Sequence, residues 1–453
     1  MGVLAVYGVP NASTYLYYGL HNLQHRGQEG AGMVTFAEDG TACRHRGTGL
    51  ISEVFDDKTV ASLKGSIGIG NVHYANASKG GLDNIEPIFF HHRSGDFAVA
   101  CDGNIVNSRQ IADYLEKRGT IFQTSTDSEI LAHLIKKNSN EDRIDNIVKA
   151  LNMAEGGFAL VIVTKKRIYA CRDKFGIKPL CIGRLGDGYV VASESCAFEI
   201  MGATFVRDIA PGEIVTLDYK GIRTRLYSQF QKHRMCAMEY IYFARPDSDI
   251  DGCNVHSYRV EAGRRLYREC PADADIVVGV PESSLSAAMG YSAESGIPYE
   301  MGLVKHKYVG RTFIQPVQEM RELGVKMKLS PVHSIVRGKR IVLVDDSIVR
   351  GTTSLKIVKL LREAGATEVH VRIASPMMKH PCFYGVDTST REELLCSNRN
   401  LEEACAAIDA DSLGFLSPDS TEKSCFGCAQ PCQACFTGEY PTLLYDDETI
   451  NND

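Results

Sequence analysis

The sequence has no tryptophan, no lysine- or arginine-rich block and no zinc-finger spacing, and its formal net charge is −6. Those absences remove the usual electrostatic footprint of a nucleic-acid-binding protein, and no nucleic-acid partner is expected. No apolar run approaches the roughly 20 residues that a bilayer-spanning helix requires. The first residues lack the basic segment and long apolar core of a secretory signal, so a cytoplasmic chain with no membrane partner is expected. Internal repeats and low-complexity segments are also missing.

What is present is the composition of a globular protein, 44% hydrophobic and 23% charged over 453 residues. That length exceeds one ordinary core and predicts two domains of about 150 to 250 residues each. Fifteen cysteines are many. A chain able to build its own core needs no disulfide staples, and the cytosol would reduce them. Eleven are spread between Cys43 and Cys405, whereas Cys425, Cys428, Cys432 and Cys435 crowd together. That crowding points to a metal or iron–sulfur centre.

The rhythm of the chain changes part-way along. The first 230 residues read as strands between glycine-rich turns with two helical patches; predicted strands include Gly2–Tyr7, Phe97–Cys101, Phe158–Val163, Gly188–Ala192 and Glu213–Leu217, and Ile130–Lys137 has helical spacing. From about residue 255, apolar strands (Asp275–Val280, Arg340–Val344, Glu368–Ile373) alternate with helices (Val260–Glu269, Ser286–Ser295, Thr353–Ala364). Such alternation predicts a mostly parallel sheet covered on both faces. The boundary is expected between residues 230 and 255.

The most informative stretch is Arg340-Ile-Val-Leu-Val-Asp-Asp-Ser-Ile-Val-Arg-Gly-Thr-Thr-Ser354. An apolar strand delivers Asp345 and Asp346 to its carboxyl end, where ligands of α/β sheets sit. Backbone N–H groups around Arg350–Thr353, at the start of a helix, make a phosphate cradle, and Gly351 allows close approach. The acid pair suits ribose hydroxyls or a magnesium ion.

These residues resemble the strand, acid pair and phosphate loop of type I phosphoribosyltransferases, and specifically those of the amidophosphoribosyltransferase family. Met238-Glu-Tyr-Ile-Tyr-Phe-Ala-Arg-Pro-Asp-Ser248, Gly279-Val-Pro-Glu-Ser-Ser284 and Tyr308-Val-Gly-Arg-Thr-Phe-Ile-Gln-Pro316 carry the same resemblance, as does His25-Arg-Gly-Gln-Glu-Gly30 at the start. The resemblance implies an α+β N-terminal-nucleophile-type four-layer sandwich followed by an α/β type I phosphoribosyltransferase domain. It places a glutamine amidotransferase type 2-like domain in residues 1–235. The transferase domain, with a cysteine-rich extension, occupies 236–453. It also implies transfer of ammonia to C1 of phosphoribosyl pyrophosphate, expelling pyrophosphate and giving 5-phosphoribosylamine for purine synthesis. By position, Asp345, Asp346 and Ser283 are implied to meet magnesium, the two acids also touching the ribose diol. Arg350, Gly351, Thr352, Thr353 and Ser354 are implied to hold the 5-phosphate, Ser347 to belong to the same phosphoribosyl pyrophosphate-binding set, and Lys305, Arg311, Lys326 and Lys328 to approach the pyrophosphate. Glu282 replaces the family's aspartate, and His333 stands where arginine is frequent.

The same resemblance marks departures in the first half. In the family a mature first cysteine supplies the thiolate that attacks glutamine. Here Met1 occupies that position, and its thioether has no ionisable proton. Removal of Met1 would leave Gly2, which offers no nucleophile either. His73 replaces the arginine that grips the substrate carboxylate. Cys101-Asp-Gly-Asn104 replaces the family's His-Asn-Gly-Asn, so Asp102 brings a negative charge beside Gly103 and Asn104, where an oxyanion should develop. Asp127 remains in place to meet an amino group. Cys101 lies on an apolar strand and reads as a core thiol rather than a substitute nucleophile.

Among the cysteines, Cys432-Gln-Ala-Cys435 and Cys425-Phe-Gly-Cys428 share one spacing, which does not choose between them or between iron–sulfur and zinc. The resemblance implies a [4Fe–4S] cluster on Cys236, Cys382, Cys432 and Cys435, with a structural or oxygen-sensing role. The expected function is therefore a phosphoribosylamine-forming transferase using free ammonia, or ammonia from a separate glutaminase. A homo-oligomer with purine nucleotide effectors is also implied. The alternative is a catalytically silent paralogue that binds phosphoribosyl pyrophosphate or nucleotides and regulates an active enzyme.

Overall fold

Along Gly2–Tyr7 the side chains alternate between two apolar environments: Val3 and Ala5 face one cluster, Leu4 and Val6 another, and all four are fully buried. A strand apolar on both faces must be covered on both, which dictates layers. A computed structural model describes residues 1–74, 81–93, 95–137, 143–229, 232–306, 329–388, 390–427 and 430–445. In it Gly2–Tyr7 is central to a seven-stranded antiparallel sheet, flanked by Gly188–Ala192 and Ile67–His73. A second antiparallel sheet has six strands, with Phe97–Ile105 paired to Gly156–Thr164 over nine residues. Val3, Ala5, Ala98, Ala100 and Val161 fill the space between the sheets. The helices Ala12–Asn22 and Cys196–Met201 cover the outer face of the first sheet; Ser108–Glu116, Asp127–Lys136 and Arg143–Met153 cover the second.

The second half is built as the alternation predicts. Ile276–Gly279, Arg340–Asp345, Glu368–Ile373 and Ser412–Phe415 form a four-stranded parallel sheet in that order. Val277, Val342 and Val344 pack toward the helices Val255–Glu269 and Leu285–Ser295, while Val278, Ile341 and Leu343 pack toward Thr352–Glu363. The predicted strands and helices fall within a few residues of these bounds, the usual scatter at element ends.

The first half is more helical than its sequence reads. Ala12–Asn22 (Ala-Ser-Thr-Tyr-Leu-Tyr-Tyr-Gly-Leu-His-Asn) is a helix despite three tyrosines and a glycine, residues of middling or poor helix propensity. Burial of Ala12, Leu16, Gly19 and Leu20 against the sheet stabilises it, so tertiary packing overrides local preference.

A fully buried Arg172 ties the halves together. Its guanidinium donates to both carboxylate oxygens of Asp251 at 2.7 Å, and also to the carbonyls of Lys178, Ile209 and Gly176. All its donor directions are met, so the pair escapes the usual penalty of a buried charge. Asp251→Ala leaves that cation without its carboxylate and is expected to cost about 3–5 kcal/mol. Urea unfolding checks it; a loss below about 1 kcal/mol would mean that water compensates for the missing carboxylate.

Candidate active site

Asp345 ends the strand Arg340–Asp345, and the next residue turns back over the sheet, so both carboxyls gather at its carboxyl edge. Asp346 is buried and Asp345 half-buried. Hydroxyls converge on them: Ser283 donates to Asp346 Oδ2, Ser284 to Asp345 Oδ1 at 2.9 Å, and Ser347 to Asp346 Oδ1 at 2.6 Å. Burial pushes both carboxyls up, Asp345 further still through its acidic neighbour. Arg259 lies close enough to favour the charge on Asp346, but its own donors go to the carbonyls of Tyr240 and Ala244. Two adjacent acids supplied with hydroxyls but with no direct cation partner among the described residues fit a hard divalent ion.

The loop beyond them opens the helix Thr352–Glu363. Gly351 takes φ 76°, in the left-handed region, and a Cβ there would lie 2.8 Å from Leu395. No side chain caps the helix, so its first N–H groups remain available to an anion, with Thr352 and Thr353 exposed beside them. Ser354 is buried. The exposed Arg350 guanidinium meets Glu393 at 2.6 Å beside these backbone N–H groups and hydroxyls. Lys305 sits half-exposed, 3.8 Å from Glu282. Arg311, Lys326 and Lys328 lie outside the described residues.

The pocket of the first half is dominated by Arg26. Its guanidinium donates to Asp102 at 2.9 Å, to Glu194 at 2.6 Å and to both oxygens of Glu239 at 2.8 Å, while Nε donates to the Met1 carbonyl. The Met1 amine donates to the other Asp102 oxygen at 3.0 Å, and Lys178 stands 3.8 Å from Asp102 and 3.7 Å from Glu239. Asp102, Glu194, Glu239, Arg26 and Lys178 are all buried. Burial works to raise Asp102, but Lys178, the amine and Arg26 outweigh it and hold the carboxyl far below the usual range. The carboxylate at residue 102 is thus ionised, as its sequence position suggested, and is held within a cation cluster that the sequence did not reveal. Arg26, Lys178, Glu194 and Glu239 escaped the sequence reading. Arg26 and Glu239 lie within motifs already singled out, but burial, the feature that makes them matter, has no local signature.

Gly103 has φ 125°, and a Cβ there would lie 2.0 Å from the Gly157 carbonyl, so only glycine fits. Asn104 donates to the Phe383 carbonyl at 3.0 Å, joining this pocket to the second half. Asp127 is half-buried at the start of Asp127–Lys136; its Oδ2 accepts the Ile105 N–H at 2.7 Å, and desolvation pushes the carboxyl up to about 6. His73 is 4% exposed with neither ring nitrogen hydrogen-bonded, and burial, assisted by the nearby amine, lowers it to about 4. Cys101 is a core thiol as expected, pushed well up by burial and its acidic neighbours. A cavity of about 330 Å³ runs from Met1, Arg26 and Lys178 to Ser347 and Val349.

Cys236, Cys382, Cys432 and Cys435 come together. Cys236 and Cys432 form an isolated parallel bridge, the Cys382 thiol accepts the Tyr384 N–H at 3.4 Å, and each of the other three thiols feels Cys382 electrostatically. Burial raises Cys236, Cys432 and Cys435, so bare thiols there are protonated and a metal centre must draw their protons off. Cys425 is buried beside Tyr240 and Tyr258, and Cys428 is outside the described residues.

A glutamine amidotransferase domain family matches residues 82–199, and a phosphoribosyl transferase domain family matches 261–385. Over 457 aligned residues the chain is 51% identical to an amidophosphoribosyltransferase of Bacillus subtilis (strain 168), covering 99% of this chain and 95% of that one. The chain belongs to the amidophosphoribosyltransferase family. It is accordingly an enzyme of the pentosyl-transferring class, with an amidotransferase sandwich preceding a type I phosphoribosyltransferase domain. A solved structure described as the allosteric regulatory enzyme of purine biosynthesis superposes with a TM-score of 0.94 at 50% identity, covering 99% of this chain and 97% of that one. The Bacillus subtilis glutamine phosphoribosylpyrophosphate amidotransferase complexed with ADP and GMP gives 0.93 at 50% identity, covering 99% and 98%. Among the described residues, no helix is long and apolar enough to cross a membrane.

One buried acid of the sandwich lends itself to a pH test. Glu86 is 1% exposed; its oxygens accept the Ser128 hydroxyl and the Cys101 N–H, and burial pushes the carboxyl up to about 8. With the folded value above the unfolded one, the native state holds the extra proton between about pH 4.5 and about pH 8. Stability from this group is therefore full at acid pH and lost as pH rises through that window. Glu86→Gln keeps an acceptor for Cys101 and removes the ionisation. It is expected to match the parent near pH 5 and to exceed it by about 1–3 kcal/mol above pH 8, by urea unfolding. A gain independent of pH would show that Glu86 does not titrate in this window.

Proposed function

We propose that the chain is an amidophosphoribosyltransferase of purine synthesis that forms 5-phosphoribosylamine and pyrophosphate from phosphoribosyl pyrophosphate, with ammonia rather than glutamine as its nitrogen donor. The two domains are assigned to residues 1–235 and 236–453. The observation that carries the transferase half is the hydroxyl-lined pair Asp345–Asp346 beside the uncapped helix at Gly351. The 5-phosphate is assigned to the N–H groups and hydroxyls of residues 350–354, which place the ribose over the acid pair. Magnesium, when bound to Asp345, Asp346 and Ser283, supplies charge to offset that building on pyrophosphate as the C1–O bond breaks. Lys305 stands at the same edge to meet the leaving group. Nitrogen forms the new bond to C1 and gives up one proton. The intact acid pair and cradle favour this enzyme over the silent paralogue, for which no observation speaks.

The choice of donor rests on the first-half pocket. Met1 provides no thiolate, Asp102 is occupied by Arg26 and the amine, and His73 is a neutral ring where a guanidinium would grip a carboxylate. The cavity from Arg26 to Ser347 gives ammonia a sheltered route between the halves. A separate glutaminase is a candidate supplier. Purine nucleotides are assigned as effectors, in keeping with the ADP and GMP bound by the Bacillus subtilis relative. A homo-oligomer and a cytoplasmic setting, which keeps thiols reduced, belong to the same reading.

The four gathered cysteines are assigned a [4Fe–4S] cluster. Three are buried and one half-buried; among the described residues no three or more His, Cys, Asp or Glu side chains are spaced to hold a metal ion, so the assignment rests on the four cysteines being neighbours and on the chemistry of thiolate ligands. The cluster would pin the C-terminal extension and the Cys382 segment onto the transferase domain.

Pyrophosphate release from phosphoribosyl pyrophosphate and magnesium is expected with ammonium chloride and absent with glutamine, using anaerobically purified protein. Turnover with glutamine would overturn the donor assignment, and silence with both would overturn the enzyme. For the cluster, protein reconstituted with iron and sulfide is expected to hold about four irons and to absorb broadly in the visible. Cys432→Ser should lose both signals; their retention, or stoichiometric zinc instead, would exclude this assignment.

A further inference from the structure

One titratable side chain borders both cavities between the halves. The cavity of about 330 Å³ that runs from Met1 to Ser347 is lined by His25, and so is a larger one of about 870 Å³ that reaches Ser283 and Lys305. Ser347 and Ser283 donate to opposite oxygens of Asp346, so the two spaces converge on the acid pair. His25 therefore stands on the sheltered route of the nitrogen donor and at the edge of the transferase site.

A fixed carboxylate sets the ring. His25 Nε2 lies 2.7 Å from Glu194 Oε1, which also accepts Arg26 at 2.6 Å. Glu194 Oε2 accepts the Ser248 hydroxyl at 2.7 Å and the Arg245 N–H at 2.9 Å. Burial works to raise this carboxyl, but His25 and Arg26 outweigh it and hold it far below the usual range. An ionised carboxylate only accepts, so Nε2 carries the ring proton and Nδ1 keeps the lone pair. Nδ1 makes no hydrogen bond among the described residues, and the side chain is 27% exposed. An imidazole oriented by a carboxylate, with its other nitrogen unbonded beside a cavity, is arranged to accept a proton.

We infer that His25, oriented by Glu194, takes the proton that converts ammonium to the attacking ammonia. This role rests on the ammonia reading above and goes beyond it by naming the group that activates the donor. Ammonium has no lone pair and cannot attack C1, yet near neutrality most of the donor is in that form. One N–H bond of ammonium breaks, its electron pair stays on nitrogen, and the proton goes to Nδ1. The lone pair then forms the bond to C1 as the C1–O bond breaks, that pair leaving with pyrophosphate. A second proton leaves the product nitrogen for water, and His25 returns its own to solvent at its exposed edge.

Two variants separate proton transfer from support of the fold. His25→Gln keeps an N–H donor for Glu194 but accepts no proton, and His25→Ala leaves room for added imidazole. In pyrophosphate-release assays on the full-length protein at about pH 7, kcat/KM for total ammonium is expected to fall about a hundredfold in both. Hydroxylamine, a weaker base that is largely neutral at that pH, needs no such acceptor, and its turnover should be spared. Imidazole should restore His25→Ala with ammonium and leave His25→Gln unmoved. Full activity of either variant with ammonium would show that the proton needs no acceptor and overturn the role. Equal losses with both amines, without rescue by imidazole, would reduce His25 to a structural part and overturn it as well. If the parent itself rejects hydroxylamine, the imidazole rescue decides. A parent silent with both amines would sink the ammonia-dependent function and this role with it, whereas an active parent confines any failure to His25.

Discussion

Everything in the first-half pocket depends on a guanidinium that cannot reach water. Arg26 is 7% exposed and remains charged, so the fold must surround it with carboxylates. It draws them from distant places: Asp102 from the second sheet, Glu194 from the turn after Gly188–Ala192, and Glu239 from beyond the sandwich altogether. A buried charge missing one partner costs several kcal/mol, so these segments are held together as a unit. Lys178 extends the unit toward Cys236, whose thiol it influences electrostatically. Pocket, inter-domain cavity and cysteine cluster therefore share one charged framework.

The two acidic centres of the molecule behave differently because their partners differ. Asp102 is surrounded by cations supplied by the protein, and its charge is spent within the fold. Asp345 and Asp346 receive hydroxyls instead, with Arg259 acting only from a distance, so burial prevails and the pair is left short of positive charge. The first arrangement has the character of a structural joint. The second is completed only by something that binds.

The transferase half was largely legible in the sequence because its signals are local. An apolar strand, an acid pair, a glycine and a run of hydroxyls are contiguous, and their order alone places them at a sheet edge before a helix. The cysteines proposed to hold a cluster were singled out by resemblance; spacing alone left Cys425 and Cys428 in contention, and it is the fold that sets Cys236 and Cys382 beside the later pair. The sandwich was harder to read. Its helix Ala12–Asn22 is held by packing rather than propensity, and its pocket charges are balanced between residues up to 213 positions apart. The cations around Asp102 were hidden because Arg26 and Lys178 lie far from it in the linear sequence.

This balance bears on how a glutamine pocket can change without unfolding the protein. A carboxylate set into a buried, donor-lined cavity would ordinarily be expelled or protonated, because desolvation costs more than isolated hydrogen bonds return. At residue 102 it lies within reach of Arg26, Lys178 and the amine, and becomes a third carboxylate for a cluster otherwise served by Glu194 and Glu239. Asp102 thus strengthens the joint between the halves. His73 runs the other way: its buried ring finds no hydrogen-bond partner and adds no anchoring. The pocket is therefore rigid on the side of Arg26, where the carboxylates drawn from separate segments keep the two halves in register.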